Sequence, residues 1–309
     1  MINIIYKRRQ GYTDPIAKRP RPSVRPFPEA RMDTTSHIDR GTSRVRPING
    51  IDLTYDDVGE GSRSVLLIHG HPFNRTMWAP QAAVLSGNHR VLVPDLRGYG
   101  RSSQPFGSRE TRLETFASDN LALIDALGIR SFALAGLSMG GQIVLEMYRQ
   151  APERIEALLL ADTFAGLDAP ERKQLRLTIA DRLEREGMEA YADEELTKMI
   201  TADNARQLPN VATHVIGMMK TTPPEGAAAA LRGRAQRRDY LPLLKEIRVP
   251  TTIVVGREDS YTPVALAEQL HDGIPGSELF VIEGAGHMPN LERPEAFNEV
   301  LQSWLVHEP

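Results

Sequence analysis

A short glycine-rich turn at residues 136–140 constrains this chain more than any other stretch of its sequence. The pentapeptide reads G-L-S-M-G, with Ser138 at its centre, and fits the pattern G-x-S-x-G. The apolar run 132–135 before it is typical of a buried strand, and the run 142–148 after it predicts a buried helix. Glycines relieve the crowding where a strand bends sharply into a helix. The pattern therefore predicts a strand–turn–helix unit that holds Ser138 at the carboxyl end of a strand.

The chain also carries the partners that a reactive serine would need. A serine hydroxyl is scarcely ionised at neutral pH, so it needs a histidine base and a carboxylate that orients this base. Asp259 follows the apolar run 251–256, and His287 lies in a glycine-rich loop after the run 279–282. The order serine, acid, histidine is the one expected when all three follow strands of a parallel sheet.

Predicted strands alternate with predicted helices along most of the chain. Continuous apolar runs, typical of strands covered on both faces, lie at 65–68, 91–93, 132–135, 157–161, 253–255 and 279–282. Residues 111–127 have helical periodicity, and the clearest of the other helices are at 263–271 and 294–306. This alternation predicts an α/β fold with a doubly wound, mostly parallel sheet. Residues 166–237 contain no strand-like run, so we expect them to form an α-helical cap inserted into a catalytic domain of residues 47–165 and 238–309.

Five motifs in order make the sequence resemble the α/β-hydrolase family over residues 50–307. They are H-G-H-P at 69–72, D-L-R-G-Y-G-R-S at 95–102, the serine turn at 136–140, G-R-E-D at 256–259 and G-H at 286–287. The resemblance implies the α/β-hydrolase fold. It also implies that Ser138 is the nucleophile, Asp259 the acid and His287 the base of a catalytic triad.

The resemblance further implies an oxyanion hole made of two backbone N–H groups. One belongs to Met139, the residue after the serine, and the other to the loop that follows the strand 65–68. In that loop Pro72 has no N–H to donate. His71 is therefore the expected second donor, and Phe73 is the alternative.

A second candidate for the acid stays open. Asp162 directly follows the predicted strand 157–161, and some relatives carry the acid after this earlier strand. We expect Asp259 to be the acid because the residues after it, 260–263, are typical of a loop that enters a helix. The alternative role of Asp162 is to cap the next helix.

The residues and the resemblance together predict a cofactor-free serine hydrolase with no metal, which cleaves a carboxylic ester or lactone through an acyl-enzyme on Ser138. Among hydrolases of this kind, the chain most resembles enol-lactonases and small arylesterases. Dehalogenases and epoxide hydrolases of the family would need an aspartate at position 138. The alternatives are a receptor-like protein that binds a ligand with little or no turnover, and a perhydrolase or carbon–carbon hydrolase variant.

Charge and composition restrict the partners and the compartment. The net charge of −3 indicates neither a nucleic-acid nor a membrane partner, so a small-molecule ester or lactone is the expected partner. The chain has no cysteine, which excludes disulfides and cysteine-based metal sites. It begins without the apolar core of a secretory signal. We therefore expect a cytoplasmic protein.

Residues 1–46 differ in composition from the rest of the chain. They contain eleven lysines and arginines against four acidic residues, five prolines and little apolar periodicity. Such a segment buries too little apolar surface to fold alone, so we expect a disordered basic tail. Two origins stay open for residues 1–31: a natural tail, or a stretch upstream of a true start at Met32.

Overall fold

The computed structural model describes residues 4–7 and 43–306, and a nine-stranded sheet lies at its centre. The strands are β1 (Ile4–Lys7), β2 (Ser43–Ile48), β3 (Ile51–Val58), β4 (Ser64–Ile68), β5 (Arg90–Pro94), β6 (Phe132–Leu137), β7 (Ile155–Ala161), β8 (Thr251–Gly256) and β9 (Glu278–Ile282). Their order is β1-β9-β8-β7-β6-β4-β5-β3-β2. The six central strands are parallel: β9, β8, β7, β6, β4 and β5. At one edge β1 pairs antiparallel with β9, and at the other edge β3 and β2 pair antiparallel. The predicted fold class is confirmed.

Twelve α-helices connect or follow the strands in the described residues. They are α1 (Ala79–Leu85), α2 (Leu113–Ala126), α3 (Met139–Gln150), α4 (Pro170–Glu186), α5 (Glu189–Met199), α6 (Ala202–Gln207), α7 (Pro209–Thr221), α8 (Pro224–Ala235), α9 (Leu241–Leu244), α10 (Val264–Gly273), α11 (Pro289–Glu292) and α12 (Pro294–Val306). Two short 3₁₀ helices lie at Arg75–Trp78 and Pro152–Arg154. Among the described helices, none is both long and apolar enough to cross a bilayer.

The apolar strands are buried because helices cover both faces of the sheet. In β4, Val65 and Leu67 join the cluster on the side of α1 and α12, whereas Leu66 and Ile68 join the cluster on the side of α2 and α3. All four side chains are fully buried. Successive residues of a strand point to opposite faces, so a strand covered twice reads as a continuous apolar run.

Six helices, α4 to α9, lie between β7 and β8, and the first five fall within residues 166–237, for which we expect a cap. α4 packs on α8, and α5 packs on α7. Ala180, Leu183, Met188 and Leu231 belong to a small apolar cluster of these helices. α4, α5 and α8 therefore share a small core, whereas the buried residues of α7 join the apolar cluster on the α1 and α12 side of the sheet.

Two parts of the expected disordered tail are ordered strands, and for them the prediction is wrong. β1 pairs antiparallel with β9, and residues 43–46 belong to β2, which pairs antiparallel with β3. A short extended segment needs no core of its own when its backbone adds to the open edge of an existing sheet. The rest of the tail, residues 1–3 and 8–42, lies outside the described residues, as do residues 307–309.

Candidate active site

Ser138 occupies a sharp turn between β6 and α3. Its φ of 58° and ψ of −118° place it in a backbone conformation that residues with a side chain rarely adopt. The Ser138 N–H donates to the carbonyl oxygen of Ala161 at 2.9 Å, and the Thr163 hydroxyl donates to the carbonyl oxygen of Ser138 at 2.7 Å. Backbone strain of this kind persists where surrounding contacts over-determine the conformation, and it concentrates at functional sites.

Two glycines allow the loop after β4 to pack directly against this turn. A Cβ added at Gly70 would lie 2.9 Å from the carbonyl oxygen of Leu137 and 3.2 Å from the Cβ of Ser138. A Cβ added at Gly140 would collide with the carbonyl oxygen of Ile68. Any other residue at these positions would push the two backbones apart, so the glycines hold the serine turn and the loop after β4 in register.

Asp259 and His287 are in direct contact. Asp259 lies in the loop after β8, and His287 lies in the loop after β9. The His287 Nδ1–H donates to Asp259 Oδ2 at 2.8 Å, and both side chains are almost fully buried. The other oxygen, Oδ1, accepts the N–H groups of Tyr261 at 2.7 Å and Thr262 at 3.0 Å. With Nδ1 bonded to the carboxylate, Nε2 is the ring nitrogen left for proton transfer.

The Asp259 carboxyl is held in its charged form. Burial alone would raise its pKa, but the nearby His287 and the hydroxyl and N–H of Thr262 outweigh burial and lower the pKa below its usual value. An ionised Asp259 can fix the tautomer of His287 and stabilise the imidazolium that forms when His287 takes a proton.

Asp162, the other candidate acid, lies beside this pair and does something different. It follows β7 with a φ of 45°, and its Oδ1 accepts the N–H of Gly256 at 2.9 Å. Burial, followed by the negative charge of Asp259, raises the pKa of Asp162 well above its usual value. Asp162 is therefore suited to be a neutral acid that holds the end of β8, whereas Asp259 carries the charge that faces His287.

Ligand atoms of Asp162, Asp259 and His287 lie within 4.8 Å of one another, which is a spacing that a metal ion could use. The direct hydrogen bond between His287 and Asp259 already engages the atoms that would have to bind such an ion. The group fits an acid–base pair better than a metal centre.

Glu292 in α11 fixes the loop that carries His287. Its Oε1 accepts the N–H groups of Gly286 at 2.8 Å and Met288 at 3.3 Å, which flank the histidine. Its Oε2 accepts the N–H of Thr201, a cap residue, at 2.9 Å. Sequence reasoning missed this residue. Its only signal in the sequence is an acidic residue five positions after His287.

The two expected oxyanion donors have N–H groups available. Met139 is the first residue of α3, and the N–H groups of a helix's first turn have no partner within the helix. In the described part of the chain, the N–H of His71 makes no hydrogen bond. The alternative donor, Phe73, is engaged, because its N–H donates to Gly70 O at 3.0 Å. A helix N-terminus also favours negative charge, which suits the Met139 side of the site.

The two histidines of the loop after β4 are both buried and neutral. His69 Nε2 accepts the N–H of Leu96 at 2.9 Å, and Nδ1 bonds Gly70 O at 2.8 Å. Burial lowers the pKa of His69 to about 4. His71 Nδ1 lies 2.8 Å from the hydroxyl of Tyr99, and its pKa is lowered well below the usual value, first by burial and then by nearby cations. His69 is thus a structural residue that braces the loop.

Two helices of the segment 166–237, α5 and α7, contact the loop after β4. The hydroxyl of Thr222, just after α7, donates to Pro72 O at 2.8 Å. The ring of Tyr191 in α5 has its centroid 6.3 Å from that of His71. These contacts put α5 and the end of α7 next to the expected oxyanion loop.

Comparison with known proteins shows which proteins the chain is similar to. A family model described as alpha/beta hydrolase fold matches residues 63–294. The 3-oxoadipate enol-lactonase 2 of Acinetobacter baylyi is 29% identical over 254 residues, which cover 82% of this chain and 92% of the relative. A thermophilic esterase from Thermogutta terrifontis, in a malate-bound structure, is 36% identical with a TM-score of 0.81, covering 85% of this chain and 98% of the esterase. The enol-lactonase from Burkholderia xenovorans LB400 is 31% identical with a TM-score of 0.78, covering 85% of this chain and 100% of the enol-lactonase.

Proposed function

Since this chain belongs to the α/β-hydrolase family and is a hydrolase, we propose that it cleaves a carboxylic ester or lactone with Ser138 as nucleophile. One observation carries the proposal. Ser138 sits in a strained turn at the same sheet edge as the buried His287–Asp259 pair, whose hydrogen bond measures 2.8 Å. A serine, an oriented histidine and a charged carboxylate in this order are the parts that acyl transfer requires.

In the first half of the reaction, His287 Nε2 takes the proton of the Ser138 hydroxyl as its oxygen attacks the substrate carbonyl. The carbonyl oxygen becomes an oxyanion, which the N–H groups of Met139 and His71 stabilise. The carbon–oxygen bond to the leaving alcohol then breaks, and His287 returns its proton to that alcohol. Ser138 is left as an acyl ester.

In the second half, water replaces the alcohol. His287 takes a proton from the water, whose oxygen attacks the acyl carbonyl, and the same two N–H groups stabilise the second oxyanion. The bond to Ser138 breaks, and His287 protonates the serine. An ester gives an acid and an alcohol, whereas a lactone gives one molecule that carries both groups. No external cofactor enters either half.

The charges of the site support these roles. The lowered pKa of Asp259 keeps one negative charge beside His287, and the raised pKa of Asp162 avoids a second negative charge there. The pair can therefore hold one proton on His287 as a balanced ion pair during each half-reaction. The low exposure of Ser138, at 3%, and of His287, at 1%, keeps water from screening that interaction.

The choice of an ester or lactone rests on the relatives. The names of the esterase and of both enol-lactonases describe reactions at an acyl–oxygen bond. A nucleophilic serine with two oxyanion donors serves that bond in open-chain esters and in lactones alike.

The proposal is tested by turnover of 4-nitrophenyl acetate and a panel of lactones and enol-lactones by the wild-type protein and Ser138→Ala. Removing a triad serine lowers kcat by about 10³-fold or more. Ser108→Ala, in a loop at the surface, is the matched control and should turn over like the wild type. If Ser138→Ala kept a tenth of the wild-type kcat, or if the wild-type protein turned over no ester or lactone, the proposal would be wrong.

A further inference from the structure

Arg234 in α8 is a buried arginine without a carboxylate partner. It is 3% exposed, and its Nε donates to Gln142 Oε1 at 2.7 Å. Across residues 43–306, no ion pair forms with Arg234, and its two terminal nitrogens bond no acceptor. Burying a guanidinium is costly unless a negative group pairs with it. An unpaired arginine in this position therefore needs an explanation.

Asp168, the carboxylate that acts on the charge of Arg234, is already shared by two other arginines. Asp168 accepts Arg176 Nε at 2.7 Å and Arg237 Nη1 at 2.5 Å. Arg176, Arg234, Arg237 and Asp168 are all buried, or nearly so. This cluster holds three positive charges and one negative charge. Burial, followed by repulsion from Arg176 and Arg237, lowers the pKa of Arg234 well below its usual value. The cluster thus lacks an anion.

Arg234 lies between the serine turn and the oxyanion loop. Its partner Gln142 is in the first turn of α3, four residues after Ser138, which is about 6 Å along the helix axis. On the other side, the charge of Arg234 is a leading cause, after burial, of the lowered pKa of His71. The guanidinium therefore lies close to both loops that carry the expected nucleophile and the expected oxyanion donor.

A second polar group at this place also lacks a partner. His71 is 6% exposed and bonds Tyr99 through Nδ1, but its Nε2 is buried without a hydrogen-bond partner among the described residues. Buried polar atoms are almost always satisfied. The ring nitrogen of His71 and the guanidinium of Arg234 thus both lack a partner in the same part of the molecule, and a bound polar group would supply one.

A carboxylate matches what is missing. With Nε bonded to Gln142, Arg234 keeps its two terminal nitrogens, a planar pair of donors that bind the two oxygens of a carboxylate. One negative charge would offset part of the excess charge of the cluster. A neutral acyl chain would leave both Arg234 and His71 Nε2 without a hydrogen-bond partner.

We propose that the substrate carries a free carboxylate besides the ester or lactone carbonyl that reacts, and that Arg234 binds this carboxylate. The inference rests on the proposed serine-hydrolase function and narrows its substrate class. It also assigns the cap helix α8 a role in specificity.

The test compares acidic and neutral esters that differ only in charge. The mono-4-nitrophenyl esters of succinate, glutarate and adipate are each measured against their 4-nitrophenyl methyl diesters. In the wild-type protein, kcat/KM should favour the acidic ester by about 10- to 100-fold at one chain length, because hydrogen bonds to charged groups are strong. In Arg234→Met the ratio should fall toward one, chiefly through KM. Arg232→Gln removes the same charge from the same helix, but Arg232 pairs with Asp181 and Glu184, so its ratio should match the wild type.

Thermal unfolding shows whether Arg234→Met loses only the binding of the carboxylate or also its folded structure. Arg234→Met should melt at the wild-type temperature or above it, because the change removes an uncompensated buried charge. Glutarate should raise the Tm of the wild-type protein and leave that of Arg234→Met unchanged.

Three outcomes would overturn the carboxylate proposal: equal turnover of acidic and neutral esters by the wild type, an unchanged ratio in Arg234→Met, or a Tm rise with inorganic phosphate and none with glutarate. None of these involves Ser138. Failure of the serine mechanism would appear separately, as activity that survives Ser138→Ala.

Discussion

Replacing Asp259 by asparagine should lower kcat by about 10⁴-fold. The amide keeps the size of the side chain but removes the charge, and it can present its NH₂ group to His287, which selects the wrong tautomer. The His287–Asp259 distance of 2.8 Å gives an attraction of about 6 kcal/mol between unit charges at an effective dielectric constant of about 20. That energy corresponds to about four powers of ten in rate.

Asp162→Asn should change kcat by less than about threefold. Burial, followed by the charge of Asp259, raises the pKa of Asp162 and so favours its neutral form, and an asparagine oxygen can still accept the N–H of Gly256. Asp259→Asn and Asp162→Asn each replace a carboxyl group by an amide at places that lie close together in the fold, so each variant is a control for the other.

The small activity of Asp259→Asn should depend on Asp162. The charge of Asp259 is the second cause of the raised pKa of Asp162, so its removal lowers that pKa and lets Asp162 ionise beside His287 as the pH rises. The residual kcat should therefore increase with pH in Asp259→Asn and be lower, with a flatter profile, in the double variant. The assay is the pH profile of kcat on one aryl ester for all four proteins. A large loss in Asp162→Asn with a small loss in Asp259→Asn would refute the reasoning and make Asp162 the acid.

Three further predictions concern positioning and stability. Glu292→Gln should lower kcat by about tenfold or more and narrow the pH profile of kcat. The reason is that the carboxylate oxygen that accepts the N–H groups on either side of His287 is lost or is replaced by an NH₂ donor. An unchanged pH profile would contradict the role of Glu292 in positioning His287. The pKa of His69 is lowered from 6.5 to about 4, so the unfolded chain binds a proton at this residue first as the pH falls, and stability is lost on acidification. His69 alone should contribute about 3 kcal/mol to the loss of unfolding free energy between pH 7 and pH 4. Urea titration should therefore show a loss smaller by about that amount in His69→Gln, and an equal loss in both proteins would contradict the neutral state of His69. Deleting residues 1–7 should lower the Tm by about 2–5 °C without changing kcat, since β1 pairs only with β9, at the edge of the sheet; an unchanged Tm would mean that this pairing contributes nothing.

The central strands and the serine turn were predictable from the sequence because their signals are local. Runs such as 65–68 and 132–135 are apolar at every position, which only a strand covered on both faces requires. The glycines around Ser138 are likewise a local signal, because they are needed where the serine turn packs closely against the backbone of the loop after β4. The expected positions of Asp259 and His287 follow from the rule that carboxyl ends of parallel strands share one edge, and the structure places the two side chains in contact.

The residues that sequence reasoning missed depend on contacts between distant parts of the chain. Glu292 and Arg234 look like ordinary charged residues, and only the fold shows that one bonds the His287 loop and the other reaches Gln142. The strand β1 was missed because its pairing partner lies about 270 residues further along the chain. The neutral state of Asp162 likewise depends on its burial beside Asp259.

Labelling with a fluorophosphonate tests the central claim most directly, because this reagent reacts with a serine only when a base activates its hydroxyl. The wild-type protein should take up one label, and peptide mass spectrometry should find it on Ser138. Ser138→Ala and His287→Ala should take up none, whereas Ser108→Ala should label like the wild type. Label on another serine, or wild-type protein that stays unlabelled while folded, would contradict the account.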